Sequence, residues 1–287
     1  MREKPVAAQA SPMHLYRAYG SVIASNVPLE ELPPARAARP DIRFELSAPR
    51  RPAAVRWFHR HRIPGGRIWL RLGKAAAGYV LRFPGLAEFR CSRDGRRIEG
   101  WPFRQASPAT FRHLLLDQVM PLVLSLSGQT VLHAAAICGR RGAVLLLGAT
   151  GRGKSTLAAA LVRNGFRLLA DDALCLTWKG NRPCGWPSYP GLRLWPDAGR
   201  RLFPRARVRP VAHYSNKRRI VYGAGRRSSR PVGLHRVYLI EPGVRTTALT
   251  VLSAQEAFWA FHEAAFRLDV TCGRLLRAEL SSLARLA

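Results

Sequence analysis

The sequence predicts an α/β protein that carries a small β-rich module at its N-terminus. Up to about residue 108, short runs with the composition of β-strands are cut by glycine, proline and charged residues. From about residue 109, a long apolar helical pattern is followed by apolar strands and helices in the order of an α/β unit. These two sequence patterns predict two modules, 1–108 and 109–287.

The first module is expected to consist mostly of short strands. The runs are SVIASNV, IRFEL, AVRWFH, RIWLRL and GYVLRF, and the turn signal IPGG at 63–66 separates the third run from the fourth. No internal repeat or low-complexity tract interrupts the pattern.

The second module is expected to begin with a helix over about 109–127. Two apolar runs suited to buried strands follow, VLHAAAIC and AVLLLGA, and then the loop GATGRGKS, the helix TLAAALVRNG and the strand FRLLA. Gly165 is placed to end that helix. Farther along, HRVYLIE and ALTVL suit strands, Ser253 and Glu256 have the spacing of a capping box, and a last helix is expected from about Gly273.

The composition is that of a globular protein and predicts a cytoplasmic location. The chain has 287 residues, and its first twenty lack the continuous apolar core of a secretory signal. The most apolar run, 114–127, is too short to span a bilayer and is interrupted by Asp117 and Pro121, so a buried helix is expected. The five cysteines show no C-x-x-C pair and no zinc spacing, which predicts free thiols.

The formal net charge of +30 favours a polyanionic partner. The positive charge is almost all arginine spread along the chain, without an aromatic-interleaved stripe or a recognisable nucleic-acid-binding motif. We therefore do not expect a nucleic-acid partner; an acidic peptide substrate or simple solubility explains the charge as well. The sequence leaves the oligomeric state open, and a homo-oligomer is possible.

A glycine-rich segment matches the phosphate-binding pattern G-x-x-x-x-G-K-[ST] with correct spacing, directly after an apolar strand and before a helix. Glycines let backbone N–H groups wrap around phosphate oxygens, the lysine reaches the β and γ phosphates, and the serine hydroxyl ligates magnesium. The sequence thus predicts ATP and Mg²⁺ as ligands. The residues expected to bind the nucleotide are Gly148, Ala149, Thr150, Gly151, Arg152, Gly153, Lys154, Ser155 and Thr156.

Two adjacent carboxylates, Asp171 and Asp172, follow the next predicted strand, sixteen residues after Ser155. On an extended segment they point to opposite sides, so one can face the γ-phosphate while the other faces elsewhere or lies in a bent turn. One acid could accept a proton from an attacking hydroxyl while the other supports the metal. A solvated Asp-Asp cap or turn is the alternative. His133 could approach the same site, although a lone histidine in an apolar strand is more often a core residue.

The segment VLHAAAICGRRGAVLLLGATGRGKSTLAAALVRNGFRLLADDALCL, residues 131–176, resembles the core of the HPr kinase/phosphorylase family. The resemblance implies that Asp171 is the catalytic acid/base, His133 its partner, Lys154 the phosphate-binding lysine and Ser155 a magnesium ligand. Members of that family phosphorylate a serine hydroxyl on a protein, and some reverse the reaction by phosphorolysis.

The chain departs from that family at several points. The family's downstream magnesium-binding glutamate should fall near YPGLRLWPDA, where Pro190-Gly191 stands instead, so Asp172 or Asp197 is the substitute; phosphorolysis is thereby left open. The opening YRAYGSVIASNVPLEELP and this downstream segment look like the shorter HPr-kinase-like proteins of lasso-peptide systems. That likeness implies a serine of a precursor peptide as the acceptor.

The polar, basic stretch at 211–230 is predicted either as a mobile loop that closes over phosphates or as a solvated surface loop. In the first case Lys217 and Arg219 would contact phosphate or substrate.

The sequence as a whole predicts a serine kinase that uses ATP and Mg²⁺, with the β-rich module recognising the acceptor. A small-molecule kinase on the same core, or a nucleotide-gated regulatory protein without transfer activity, are the alternatives.

Overall fold

The computed structural model describes residues 12–36, 39–49, 54–221, 228–241 and 248–287. Its first eight strands form one sheet in the order β1-β2-β3-β8-β7-β6-β5-β4. The predicted strand runs of the N-terminal part are all present. The strands are β1 (His14–Ala18), β2 (Ser21–Ser25), β3 (Ile42–Leu46), β4 (Arg56–Arg62), β5 (Ile68–Ala75), β6 (Gly78–Phe83), β7 (Ala87–Ser92) and β8 (Arg97–Pro102).

The apolar stretch after this sheet is helical throughout, in three consecutive segments. They are α1 (Pro108–His113), a π-helical segment (Leu114–Val119) and α2 (Met120–Leu126). Ser107 caps α1 by accepting a hydrogen bond from the Thr110 N–H. Because the stretch is apolar on nearly every side, it is buried as predicted rather than amphipathic.

The helical stretch and the first sheet share one hydrophobic core. Phe111 of α1 stacks on Phe89 of β7, with ring centroids 5.0 Å apart, and Leu115 and Met120 are buried in the same cluster. The core therefore continues across residue 108, and the division of the chain at that residue stays a prediction.

A second sheet has seven strands in the order β12-β10-β11-β18-β14-β13-β9. Its strands are β9 (Thr130–Leu132), β10 (Ala135–Gly139), β11 (Gly142–Leu147), β12 (Arg167–Ala170), β13 (Leu174–Lys179), β14 (Arg182–Trp186) and β18 (Val232–Leu239). A third sheet has the order β15-β17-β16, with β15 (Leu192–Leu194), β16 (Arg207–Ala212) and β17 (Ser215–Val221). The protein is thus a mixed α/β protein with several sheets.

Four further helices complete the described chain: α3 (Lys154–Arg163), α4 (Pro196–Leu202), α5 (Ala254–Ala264) and α6 (Gly273–Leu286). Gly165, with φ +93°, follows the end of α3 and bonds back to the Val162 carbonyl, as predicted. The capping box of α5 is present in both halves: Ser253 accepts from the Glu256 N–H, and Glu256 accepts from the Ser253 N–H.

Three sequence expectations are wrong in detail. VLHAAAIC is not one strand, because the chain leaves β9 at His133 and enters β10 at Ala135, and four strands lie between β9 and β10 in the sheet. ALTVL at 248–252 is not a strand; Leu249 and Val251 are 82% and 100% exposed. The described part of 211–230 is not a loop, because most of it forms the β16–β17 hairpin; residues 222–227 lie outside the described residues.

Two simpler expectations concern the membrane and the thiols. None of the helices in the described part of the chain is long and apolar enough to cross a bilayer. All five cysteines are free thiols, as their spacing predicts.

Candidate functional site

The glycine-rich loop connects β11 to α3 at the edge of the second sheet's core. Gly148 has φ +135°, and a Cβ at this position would lie 2.6 Å from the Ile240 carbonyl oxygen. The parallel pairing of β11 with β18 brings the backbone at Ile240 this close. Gly151 and Gly153 have φ +89° and +90° and face open space. Only glycine meets all three requirements without strain, which explains the residue type at each position.

This geometry predicts different costs for two glycine substitutions. Gly148→Ala is expected to lower the free energy of unfolding by about 1–3 kcal/mol from backbone strain alone, and the contact with the Ile240 carbonyl adds to it. Gly151→Ala serves as the matched control and is expected to cost about 1 kcal/mol, since it meets no neighbouring atom. Urea unfolding of both variants checks the difference; equal losses would contradict the packing described here.

The first turn of α3 is suited to an anion. Its N-cap, Gly153, provides no side-chain hydrogen bond, and the first turn contains no acidic residue. The free backbone N–H groups of a helix start, together with the helix dipole, attract negative charge. The observed backbone therefore offers free N–H groups where the sequence pattern predicts phosphate binding.

Lys154 is buried and folds back onto the loop. Its Nζ donates hydrogen bonds to the carbonyl oxygens of Gly148 at 2.6 Å and Ala149 at 3.2 Å. The same ammonium lies 3.1 Å from Nε2 of His133. Burial lowers the pKa of Lys154, and the negative charges of the two aspartates counteract that effect.

Asp171 lies at the end of β12 and contacts the loop directly. Its Oδ1 accepts a hydrogen bond of 2.7 Å from Ser155 Oγ, and its Oδ2 accepts one of 2.8 Å from the backbone N–H of Arg193. Asp171 is only 1% exposed. Burial and the neighbouring negative charge of Asp172 raise its pKa above the ordinary value.

Asp172 adopts the left-handed backbone conformation, with φ +69°. Such a conformation costs a non-glycine residue about 1–2 kcal/mol, although aspartate tolerates it better than most. Its side chain is 25% exposed and lies 3.0 Å, from Oδ2, to Nε of Arg193. Burial alone would raise its pKa, but the positive charge of Arg193 opposes burial and the pKa is lowered. Of the two arrangements open from the sequence, the bent turn is the one found.

His133 joins the site at the break between β9 and β10. Its Nδ1 lies 2.9 Å from the Asp172 carbonyl oxygen, an acceptor, so Nδ1 carries the proton and Nε2 accepts from Lys154. Burial lowers the pKa of His133 and Lys154 reinforces this, while Asp172 opposes it. A neutral imidazole thus connects the lysine of the loop to the aspartate turn, so His133 is not merely a residue of the apolar core.

A group of buried side chains that was not predicted from the sequence lies behind the acid pair. Arg193 on β15 contacts both aspartates; Tyr189 and Asp117 contact Arg193 in turn. One signal was available for Asp117, because a carboxylate inside the apolar run 114–127 demands a buried partner. Arg193 gave no comparable signal, since it sits in an ordinary alternating run, GLRLW.

Three further residues were predicted to contact phosphate, substrate or metal: Arg219, Lys217 and Asp197. Arg219 is 5% exposed and faces Glu31, Asp117 and Tyr189, so in this structure its guanidinium is engaged inside the protein. Lys217 lies 5.9 Å from the exposed Trp195 ring, and its charge lowers the pKa values of Lys154 and Asp172. Asp197 is exposed in the first turn of α4.

The oxygens beside the loop fit a magnesium ion. Two oxygens on adjacent corners of an Mg²⁺ octahedron lie about 3 Å apart. Ser155 Oγ and Asp171 Oδ1 are 2.7 Å apart and are both hard oxygen donors. Among the residues that the structure describes, no group of three or more His, Cys, Asp or Glu side chains forms a metal site by itself.

Comparison with known proteins gives a partial structural match. No protein-family model and no curated protein sequence matches the chain. Among solved structures, 36 chains match. One is the Hpr(Ser) kinase/phosphatase from Coxiella burnetii, which is 23% identical, with a TM-score of 0.22, over 32% of this chain and 61% of that chain. The chain thus matches less than two thirds of the length of that protein.

Proposed function

We propose that this protein is a phosphotransferase that uses ATP and Mg²⁺ to phosphorylate a serine hydroxyl of a peptide or protein. The observation that carries the proposal is the 2.7 Å hydrogen bond from Ser155 to Asp171. It joins the end of a phosphate-binding loop to the first of two adjacent aspartates, so that a metal ligand and a proton acceptor can lie beside the same triphosphate.

The residues of the loop would bind the triphosphate. The backbone N–H groups of the loop and of the first α3 turn would bind phosphate oxygens, and Lys154 would turn from the loop carbonyls toward them. Ser155 and Asp171 would hold magnesium, whose charge would offset the negative charge that develops during transfer. Holding the metal ligands in place before the substrate arrives contributes to catalysis through orientation.

Exposure and hydrogen bonding favour a specific division of work between the two aspartates. Both carboxylate oxygens of Asp171 already accept hydrogen bonds and the residue is 1% exposed, which suits a metal-side ligand. Asp172 is 25% exposed at its side chain, so it is accessible to an acceptor hydroxyl. We therefore assign the proton-accepting role to Asp172 and the metal-side role to Asp171, the reverse of the assignment that the family resemblance implies.

A comparison of asparagine variants tests these roles. Asp172→Asn is expected to reduce transfer of labelled phosphate by about 10²–10⁴-fold while MgATP binding stays nearly intact, because the lost group accepts the proton. Asp171→Asn is expected to weaken binding of Mg²⁺ in the presence of ATP as well. Asp94→Asn, an exposed aspartate in the turn between β7 and β8, is the matched control and is expected to transfer at the wild-type rate.

The nature of the acceptor is proposed from the sequence resemblance. We favour a ribosomal precursor peptide of the lasso type, recognised with the help of the N-terminal β-rich part of the chain. Labelled-ATP assays with serine-containing precursor peptides and with small hydroxyl metabolites distinguish the two kinase classes. Labelling of metabolites only would make the protein a small-molecule kinase, and MgATP binding without labelling of any acceptor would favour the regulatory alternative.

A further inference from the structure

Arg193 is buried at the junction of three carboxylates. Its side chain is 3% exposed. One end of the guanidinium donates a hydrogen bond of 2.5 Å from Nη2 to the Asp171 carbonyl oxygen, and Nε lies 3.0 Å from Asp172 Oδ2. At the other end, Nη1 is paired with Asp117 and donates to the Tyr189 hydroxyl at 2.8 Å. A planar guanidinium can serve both ends at once because its donors point in fixed, divergent directions.

Both backbone carbonyl groups of the Asp171–Asp172 turn accept hydrogen bonds from side chains. Arg193 binds the carbonyl oxygen of Asp171, and His133 Nδ1 binds the carbonyl oxygen of Asp172. The backbone N–H of Arg193 also fixes the Asp171 carboxylate. These contacts enclose the one residue of the turn that has an unfavourable backbone conformation, Asp172 at φ +69°. A conformation of this kind persists only where its surroundings enforce it.

Arg193 is itself anchored on a separate element. Asp117 lies in the π-helical segment, is 2% exposed, and also pairs with His113 and with the hydroxyl of Tyr189. The extra residue of a π-helical turn changes the direction in which the neighbouring side chains point. Such turns are frequent at functional sites. Here it belongs to the helix that forms one core with the first sheet.

From this arrangement we infer that Arg193, anchored by Asp117, is a positioning residue that holds the Asp171–Asp172 turn in its left-handed conformation and thereby directs the Asp172 carboxylate toward the phosphate-binding loop. The expected effect on phosphoryl transfer rests on the proposed function. The restraint of the Asp172 backbone by Arg193 does not depend on it. Nε of Arg193 makes an ion pair with Asp172 without a properly aligned hydrogen bond, so Arg193 restrains Asp172 chiefly through the backbone.

Kinetics of Arg193 variants test the catalytic half. Arg193→Gln is expected to lower kcat for transfer by about 10²-fold, because a displacement on the order of 1 Å of a catalytic group costs that much. The KM for MgATP and its Kd are expected to stay within about threefold, since the loop itself is untouched. Arg285→Gln, which removes an exposed arginine of α6 bonded to the Gly180 carbonyl oxygen, is the control and is expected to keep the wild-type kcat.

A second variant covers the case in which Arg193→Gln does not fold. Arg193→Lys keeps a positive charge beside Asp117, yet one ammonium group cannot bridge Asp117 and the Asp171 carbonyl together. A folded Arg193→Lys protein is expected to show the same pattern, a reduced kcat with an unchanged Kd for MgATP. Wild-type kcat in that protein, or losses of kcat and affinity in equal proportion, would overturn the inference.

A crystal structure of the folded Arg193 variant separates this inference from the proposed function. Asp172 is expected to leave the left-handed region, and Asp172 still near φ +69° with its carboxylate in place would overturn the positioning role. If wild-type protein phosphorylates no acceptor while the variant shows a displaced Asp172, the proposed function fails and the positioning role stands.

Discussion

Replacing Lys154 with methionine is expected to reduce phosphoryl transfer by at least about 10²–10³-fold, the usual cost of removing one preorganised donor from a site of developing charge. The ammonium is already inside the loop, bonded to the Gly148 and Ala149 carbonyl oxygens and in contact with His133. Methionine keeps the length of the stem but cannot bind phosphate or these carbonyl groups. Initial rates with labelled ATP, together with the Kd for MgATP from calorimetry, measure the effect.

Lys179→Met is the matched control for this prediction. Lys179 lies exposed at the end of β13, so Lys179→Met makes the same change in charge and size outside the phosphate-binding loop. We expect its transfer rate to equal that of the wild type. A Lys154→Met protein that transfers phosphate as fast as Lys179→Met would show that the loop binds phosphate without using its lysine, and the proposed role of Lys154 would be wrong.

Features that depend on neighbours in sequence were predictable in this chain. The phosphate-binding pattern needs glycines at 148 and 153, followed by Lys154, and both glycines have a positive φ. The capping box at Ser253 and the helix-ending Gly165 are likewise set by residues a few positions apart. Such features are readable because the interacting groups are fixed by the local backbone.

Features that depend on strand order were not predictable in the same way. Asp117 and Arg193 meet only because β15 passes beside the π-helical segment, and nothing in the sequence specifies that pairing. VLHAAAIC has the composition of a single strand, yet the chain turns away at His133 because β9 and β10 pair at different places in the sheet. ALTVL has strand-like residues but no strand in the described chain pairs with it.

The second large effect is expected for stability. Asp117→Asn is expected to lower the free energy of unfolding by about 3–5 kcal/mol at pH 7, because it leaves the buried cations Arg193 and Arg219 without their shared anion. Asparagine has nearly the same volume, so lost packing contributes little. Urea unfolding followed by circular dichroism measures the loss. Asp94→Asn, an exposed aspartate in the β7–β8 turn, is the matched control, with an expected loss within about 1 kcal/mol.

The pH dependence of that loss follows from the pKa of Asp117. Burial by itself would raise this pKa, but the charges of Arg193 and His113 outweigh burial and hold it well below the ordinary value. A lowered folded-state pKa stabilises the protein above the unfolded value, which is about 3.9 for aspartate, and the stabilisation is lost as the pH falls toward the folded value. The difference between wild type and Asp117→Asn should therefore be full at pH 7 and shrink below about pH 4.

A double-mutant cycle shows whether the loss comes from the pairing of Asp117 with Arg193. In the double variant Asp117→Asn with Arg193→Gln, the guanidinium of Arg193 no longer faces a neutral side chain at position 117, so the loss should be smaller than the sum of the two single losses by about 1–3 kcal/mol. Strictly additive losses would mean that the two side chains stabilise the fold independently. In that case Asp117 could not serve as the anchor of Arg193, even if each residue alone proved important for stability.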